Sequence, residues 1–286
     1  MEYTQHKQLS NEYIVVKIAD FLAEDMPDGD KTTENTIPEG GTISAEIQSG
    51  EELVFAGEKI IPHCFGENYQ TTLNHNDGDY LLNGDVIGVV TGPAREILSR
   101  ERVMLNLIQR LCGIAILTLE YAEIANPFNV KILDTRKTTP GLRLFEKYAV
   151  AVGGGYNHRL NLSDGILIKD NHIIAAGSVT KAIESVRKAG AGLPLEIEVD
   201  NINQIREALE ANVDGFLLDN MNLQTIKESV SLIRASENGN DIFIEASGGI
   251  TLKNLHPFLE TGIDAISTGA LTHQAVSKDI CLNFIT

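Results

Sequence analysis

Cysteine is scarce, and the three present, Cys64, Cys112 and Cys281, stand far apart with no C-x-x-C pair. That excludes a disulfide framework and a cysteine-built structural zinc site. His63 beside Cys64 is an isolated pair and reads as an accidental neighbour. Positive charge is also short: 23 Lys and Arg face 40 Asp and Glu, a net charge of −17. A surface this acidic repels duplex nucleic acid and anionic lipid, so neither is an expected partner. No run of about 18 apolar residues occurs, which argues against a membrane span. The opening MEYTQHKQLSNEY lacks the cationic start and apolar core of a signal peptide. A soluble, cytoplasmic protein is expected. What is present is ordinary globular composition, 43% apolar and 22% charged over 286 residues, enough for one large or two moderate domains.

The pattern changes partway along the chain. Tyr13–Glu24 carries apolar residues at helical spacing, and Asp25–Thr33 (DMPDGDKTT) reads as a polar loop. The stretches ISAEIQSGEELVFAG and DYLLNGDVIGVVTGP alternate as strands of an antiparallel or mixed sheet do. Ser99–Leu117 has the i, i+3, i+4, i+7 spacing of a long helix, interrupted by Arg102 and Arg110. Beyond about residue 130 short β-branched runs recur: VKILDTRK, GILIKDN, LEIEVD, GFLLDN, DIFIEASGG and DAISTGA. Amphipathic helical stretches lie between most of them. Apolar strands alternating with helices imply a parallel sheet, and six units favour closure into a barrel. A dinucleotide-type glycine fingerprint is absent after the first of these strands, which weakens an open-sheet reading.

In such a barrel chemistry sits at the C-terminal strand ends. Those ends carry Asp134, Lys169, Glu198, Asp200, Asp219, Glu245 and Thr268. Each alone reads as a solvated loop residue or helix cap; together they suggest a mouth built for a charged ligand. Residues 134–169 hold six basic residues (Arg136, Lys137, Arg143, Lys147, Arg159, Lys169) against three acidic ones, +3 in a chain that is otherwise −20. Arg143 and Lys147, in the helical LRLFEKYAV, read as surface salt-bridge partners. The others, with His158 in GGGYNHR, suggest recognition of a small polyanion through charge-assisted pairs. EASGG (245–249) and STGA (267–270) each follow a late strand and precede an expected helix, where small residues and the helix dipole favour phosphate.

The run DTRKTTPGLRLFEKYAVAVGGGYNHRLNLSDGILIKDNHI (134–173) resembles the signature of the quinolinate phosphoribosyltransferase family. The likeness extends to GDKTT, ERVMLNLIQRLCGI, EIEVD, LLDN, EASGG and STGALTH, almost the whole chain. The resemblance implies an N-terminal α/β sandwich, residues 1–115, followed by an incomplete six- to seven-stranded parallel α/β barrel, residues 116–286. A tail from about residue 275 packs back on the sandwich in this scheme. The resemblance also implies transfer of phosphoribose from phosphoribosyl pyrophosphate to quinolinate, with loss of CO2. Mg²⁺ accompanies the donor and no organic cofactor is involved. Homodimers with shared sites, which assemble further into hexamers in one version of the scheme, are part of it.

Matched by motif, Thr135, Arg136, Lys137, His158, Arg159 and Lys169 resemble the quinolinate pocket, and Arg102 an arginine that enters the partner's site. Glu198 and Asp219 resemble the acidic pair serving ribose and Mg²⁺, and with Lys169 form the expected catalytic set. Ser247, Gly248, Gly249, Thr268 and Gly269 resemble the 5′-phosphate loops. Ala151 and Cys112 depart from common family residues outside the ligand positions. Intact NHR and KDNH segments argue against a related branch associated with molybdate transport. Two rivals remain at this point: a Schiff-base aldolase using Lys169, and a catalytically silent sensor that keeps the basic pocket.

Overall fold

The protein is described as a computed structural model, which covers every residue except Glu2, Glu67 and Thr286. Along the chain come α1 (Asn11–Asp25), α2 (Lys31–Thr36), β1 (Thr42–Ser49), β2 (Leu53–Val54), α3 (Ile60–Phe65), β3 (Gln70–Leu73), β4 (Tyr80–Leu81), β5 (Val86–Pro93) and α4 (Ala94–Ala125). There follow β6 (Lys131–Leu133), α5 (Arg143–Val152), β7 (Ile166–Ile168), α6 (Asp170–Ala176), α7 (Val179–Ala189), β8 (Leu195–Val199), α8 (Ile202–Glu210), β9 (Gly215–Asp219) and α9 (Leu223–Arg234). The chain ends with β10 (Phe243–Ser247), α10 (His256–Leu259), β11 (Ala265–Ser267), α11 (Ala270–His273) and β12 (Ile280–Ile285). It divides into two compact units. One holds Met1–Gln5, Glu120–Arg143 and Gly155–His273; the other holds His6–Leu119, Leu144–Gly154 and Gln274–Thr286.

The second unit is built on an antiparallel sheet ordered β12-β1-β5-β3. Its strands alternate in burial, Ala45, Ile47 and Ser49 turning inward from β1. Helix α1 is started by Ser10, whose side chain accepts the Tyr13 N–H, and buries Ile14, Ile18 and Leu22 along one stripe. Three sequence expectations change here. Lys31–Thr33, the end of the expected loop, open helix α2, because Asp30 caps it, accepting from the Thr33 N–H at 3.0 Å. Lys147 is fully buried rather than a surface residue, on a helix whose residues 145–150 are all buried. The neighbouring Glu146, equally buried, accepts from Arg110 at 2.9 Å. Finally, Ala94–Phe128 is long and apolar enough to cross a membrane by length and composition, yet most of its apolar stretch is buried as a core helix is.

In the first unit all six β-branched runs form strands of one parallel sheet, ordered β6-β11-β10-β9-β8-β7. This is the incomplete α/β barrel: β6 and β7 are its edges, and Tyr156 bridges to Leu133 in parallel beside β6. Polar caps start the outer helices, Ser178 for α7, Asn201 for α8 and Asn222 for α9. Because strand side chains alternate, a single set of positions points into the barrel. The register sets Ser247 beside both Asp219 and Ser267 at the mouth, and one layer deeper sets Glu245 beside Leu217 and Ala265.

Candidate active site

A cavity of about 590 Å³ opens at the C-terminal strand ends. Alternation explains its lining. Leu167 and Lys169 come from β7 and its end, Leu217 and Asp219 from β9, and Glu245 and Ser247 from β10. Glu198 of β8 and Ser267 of β11 complete the strand-borne wall. Thr135, Arg136 and Lys137 follow β6, and His158 and Arg159 follow the Tyr156 bridge.

The cations are unevenly occupied. The Lys169 ammonium is bonded to the Glu198 carboxylate. Arg159 is buried, and its guanidinium donates to the Gly165 carbonyl at 3.0 Å. Arg136 has a buried Nε without a hydrogen-bond partner. Neither arginine forms an ion pair among the described residues. Burial first, and the Arg136 charge second, lower the Arg159 pKa, so an added anion relieves both effects.

Beneath them lies a buried acidic floor. The Asp134 carboxylate accepts from the His158 N–H at 2.9 Å and from Asn157 Nδ2 at 2.7 Å. The Arg159 N–H donates to His158 Nδ1 at 2.7 Å. Nδ1 is therefore an acceptor, and the ring proton sits on Nε2. Nε2 faces Glu196 Oε2 at 3.3 Å and Glu245 Oε2 at 3.6 Å. These three side chains have donor atoms within 4.8 Å of one another, a spacing that suits a metal ion. The tautomer does not suit one: an Nε2 that carries the proton has no lone pair to give. Burial first, and the Glu196 charge second, push the Glu245 pKa up to about 8, so Glu245 itself keeps a proton at neutral pH.

At the other rim Asp219 accepts from its neighbour Asn220 at 2.7 Å. Gly248 and Gly249 follow with φ of +97° and +63°. A Cβ at Gly248 would lie 2.2 Å from Asn220 Oδ1, so only glycine lets the two loops meet. The helix dipole has little part here, since α10 starts seven residues after Gly249 and has four residues. Any phosphate recognition rests on loop backbone and Ser247.

Three expected site residues are not in the lining. Thr268 is buried, its hydroxyl donating to the Ile250 carbonyl at 3.2 Å. Gly269 is crowded instead by Lys137 and His273, each 2.9 Å from a Cβ built there. Arg102 lies on α4 in the other unit with its side chain 60% exposed, 4.0 Å from Glu101. Asp200 also stays outside, its N–H donating to Gln204. Conversely, Asn220 lines the cavity without having been singled out, legible only as the last letter of LLDN, and Ser267, the first residue of the STGA loop, lines it where Thr268 and Gly269 do not.

An α/β barrel whose mouth sets guanidinium groups that form no ion pair among the described residues against carboxylates and a glycine loop defines a binding site for strongly anionic small molecules. Comparison with known proteins narrows the class. The family model described as quinolinate phosphoribosyl transferase, C-terminal domain, matches residues 114–283, and that for the N-terminal domain matches residues 30–112. The chain belongs to the quinolinate phosphoribosyl transferase family. It is 45% identical to a probable nicotinate-nucleotide pyrophosphorylase (carboxylating) of Bacillus subtilis (strain 168), over 99% of this chain and 94% of that one. A quinolinate phosphoribosyltransferase (decarboxylating), 2b, mitochondrial, of Nicotiana tabacum is 40% identical over 95% of this chain and 82% of its own. Among solved structures, the nicotinate-nucleotide pyrophosphorylase from Francisella tularensis superposes with a TM-score of 0.90 at 32% identity, covering 99% of this chain and 100% of that one.

Proposed function

We propose that the protein transfers the phosphoribosyl group of phosphoribosyl pyrophosphate to quinolinate, with decarboxylation, giving nicotinate mononucleotide, pyrophosphate and CO2 for NAD biosynthesis. The observation that carries the reading is one cavity holding Arg136 and Arg159 without acidic partners on one side, and Glu198, Asp219 and the Ser247–Gly249 loop on the other. The guanidinium groups suit a dicarboxylate, with Thr135, Lys137 and His158 shaping its surroundings. The glycine loop with Ser247 suits the 5′-phosphate. Glu198 and Asp219 suit the ribose hydroxyls.

Glu198 and Asp219 are also the residues that would hold Mg²⁺ with the donor, since both present hard carboxylate oxygens to the cavity. A Mg²⁺ ion bound there would offset the negative charge of the pyrophosphate. The chain's own work is positioning and electrostatics. Arg136 and Arg159 orient quinolinate so that its ring nitrogen attacks C1 of the ribose as the C1–O bond to pyrophosphate breaks. Lys169, held by Glu198, stands where charge shifts between acceptor and sugar. Once the nitrogen carries the ribose it is cationic, and the electron pair left at C2 by departing CO2 is stabilised by that charge until a proton replaces it.

Lys169 is a poor imine nucleophile in this setting. Its ammonium is bonded to Glu198 and half exposed, the opposite of the desolvated amine a Schiff base needs. A homodimer completes the proposal. Arg102 is exposed with one distant carboxylate neighbour, and as a donor to the partner's mouth it brings a cation to a site where anions meet. The decisive assay supplies quinolinate, phosphoribosyl pyrophosphate and Mg²⁺ and measures nicotinate mononucleotide together with labelled CO2. Absence of both products overturns the reading, and binding of both substrates without turnover leaves the sensor in its place.

A further inference from the structure

The end of the barrel opposite the mouth is not empty. Tyr3 enters there, beside a small cavity of about 100 Å³ lined also by Gln5, Leu133, Tyr156 and Asn157. Its ring stacks on the His158 imidazole, centroids 4.5 Å apart and planes 24° from parallel. Its hydroxyl donates to Glu196 Oε2 at 3.1 Å, the same oxygen that His158 Nε2 faces. Gly165 makes the slot: a Cβ there would lie 2.7 Å from the Tyr3 ring. Gln5 fastens the segment, donating to the Asn157 carbonyl at 3.1 Å and accepting from the Asn157 N–H at 2.8 Å.

We propose that Tyr3 is a positioning residue for the anion pocket, acting through His158 on Arg159 from the far end of the barrel. The proposal rests on the functional reading given above for the ligand, and on geometry alone for the coupling. His158 has both ring nitrogens engaged: Nε2 toward Glu196 and Nδ1 receiving the Arg159 N–H. Its part is therefore to hold the backbone from which the Arg159 guanidinium reaches the cavity. The contacts at both ring nitrogens lie in the imidazole plane and leave its faces to be held by something else. Tyr3 holds the face by stacking and fixes Glu196 by its hydroxyl. Gly165 ties both ends together, since its missing side chain admits Tyr3 while its carbonyl takes the Arg159 guanidinium. The phenol stays a donor, because burial and the Glu196 and Glu245 charges push its pKa far above the usual range.

Tyr3→Phe keeps the stack and removes the hydroxyl; Tyr3→Leu removes both. Steady-state kinetics should show the KM for quinolinate raised about threefold in Tyr3→Phe and about tenfold in Tyr3→Leu, with the KM for phosphoribosyl pyrophosphate within about twofold of wild type. A merely structural role would lower the melting temperature without splitting the two KM values. A second readout needs no activity: ¹⁵N NMR of the substrate-free protein should show His158 as the pure Nε2–H tautomer in wild type and a tautomer mixture in Tyr3→Leu. If wild type makes no product, the functional reading falls and the NMR comparison alone decides the coupling. If Tyr3→Leu does not fold, Tyr3→Phe and Gly165→Ala, which displaces the ring, are measured in its place. A folded variant with unchanged His158 signals and unchanged quinolinate KM overturns the proposal.

Discussion

Replacing Glu245 with glutamine isolates the proton that the barrel floor holds. Glu245 is fully buried beside Glu196 and His158, with its pKa pushed up to about 8 from 4.5, first by burial and then by the Glu196 charge. A folded-state pKa above the unfolded one means the fold keeps a proton that the unfolded chain releases. Its stabilisation is complete below pH 4.5 and is lost as the pH rises toward and through 8. At about 1.4 kcal/mol per pH unit, the wild type loses roughly 2–3 kcal/mol from this group between pH 6 and 8. Glutamine mimics the protonated acid, uncharged and of the same size, and does not titrate. Glu245→Gln should therefore gain on wild type by roughly 5–10 °C in melting temperature across that interval, for a unit of about 150 residues. Thermal melts of both proteins at pH 6, 7, 8 and 9 measure the difference directly. A constant difference would mean that Glu245 is ionised in the fold throughout, and that the protonated-Glu245 account of the floor is wrong.

Arg136→Ala or Arg159→Ala should each cost about 2–4 kcal/mol in apparent quinolinate binding, read as kcat/KM, while phosphoribosyl pyrophosphate use changes little; equal weakening of both substrates would reassign the pocket. Asp219→Asn keeps its size and loses its charge, so it should fold normally and require more Mg²⁺ and phosphoribosyl pyrophosphate for half-maximal rate, with quinolinate binding intact by calorimetry. Arg102→Ala and Lys169→Ala should each be inactive alone and regain up to about a quarter of wild-type activity when mixed, provided subunits exchange at random. A mixture that stays inactive despite demonstrated exchange would put Arg102 in the service of its own subunit.

The local pattern of the chain determined the barrel. Short β-branched runs at VKIL, GILI, LEIEV, GFLLD, IFIEAS and AIS became six parallel strands, because apolar strands between amphipathic helices have few other ways to bury both faces. It determined much of the mouth as well, since period-two alternation carries Lys169, Glu198, Asp219 and Ser247 to one surface once the strand ends are known. Tertiary structure decided what local pattern does not encode. Thr268 sits at a strand end like the others, yet it turns its hydroxyl to a backbone carbonyl under the mouth. Lys147 reads as a surface lysine until the packing of α5 is known. Most clearly, Tyr3 and Glu196 meet across 193 residues of sequence. Only strand order and register bring Glu245 beside Glu196 and both beneath His158. Burial there turns Glu245 from an ordinary glutamate into one that keeps its proton, because the cost of an unpaired charge depends on the depth at which the fold leaves it.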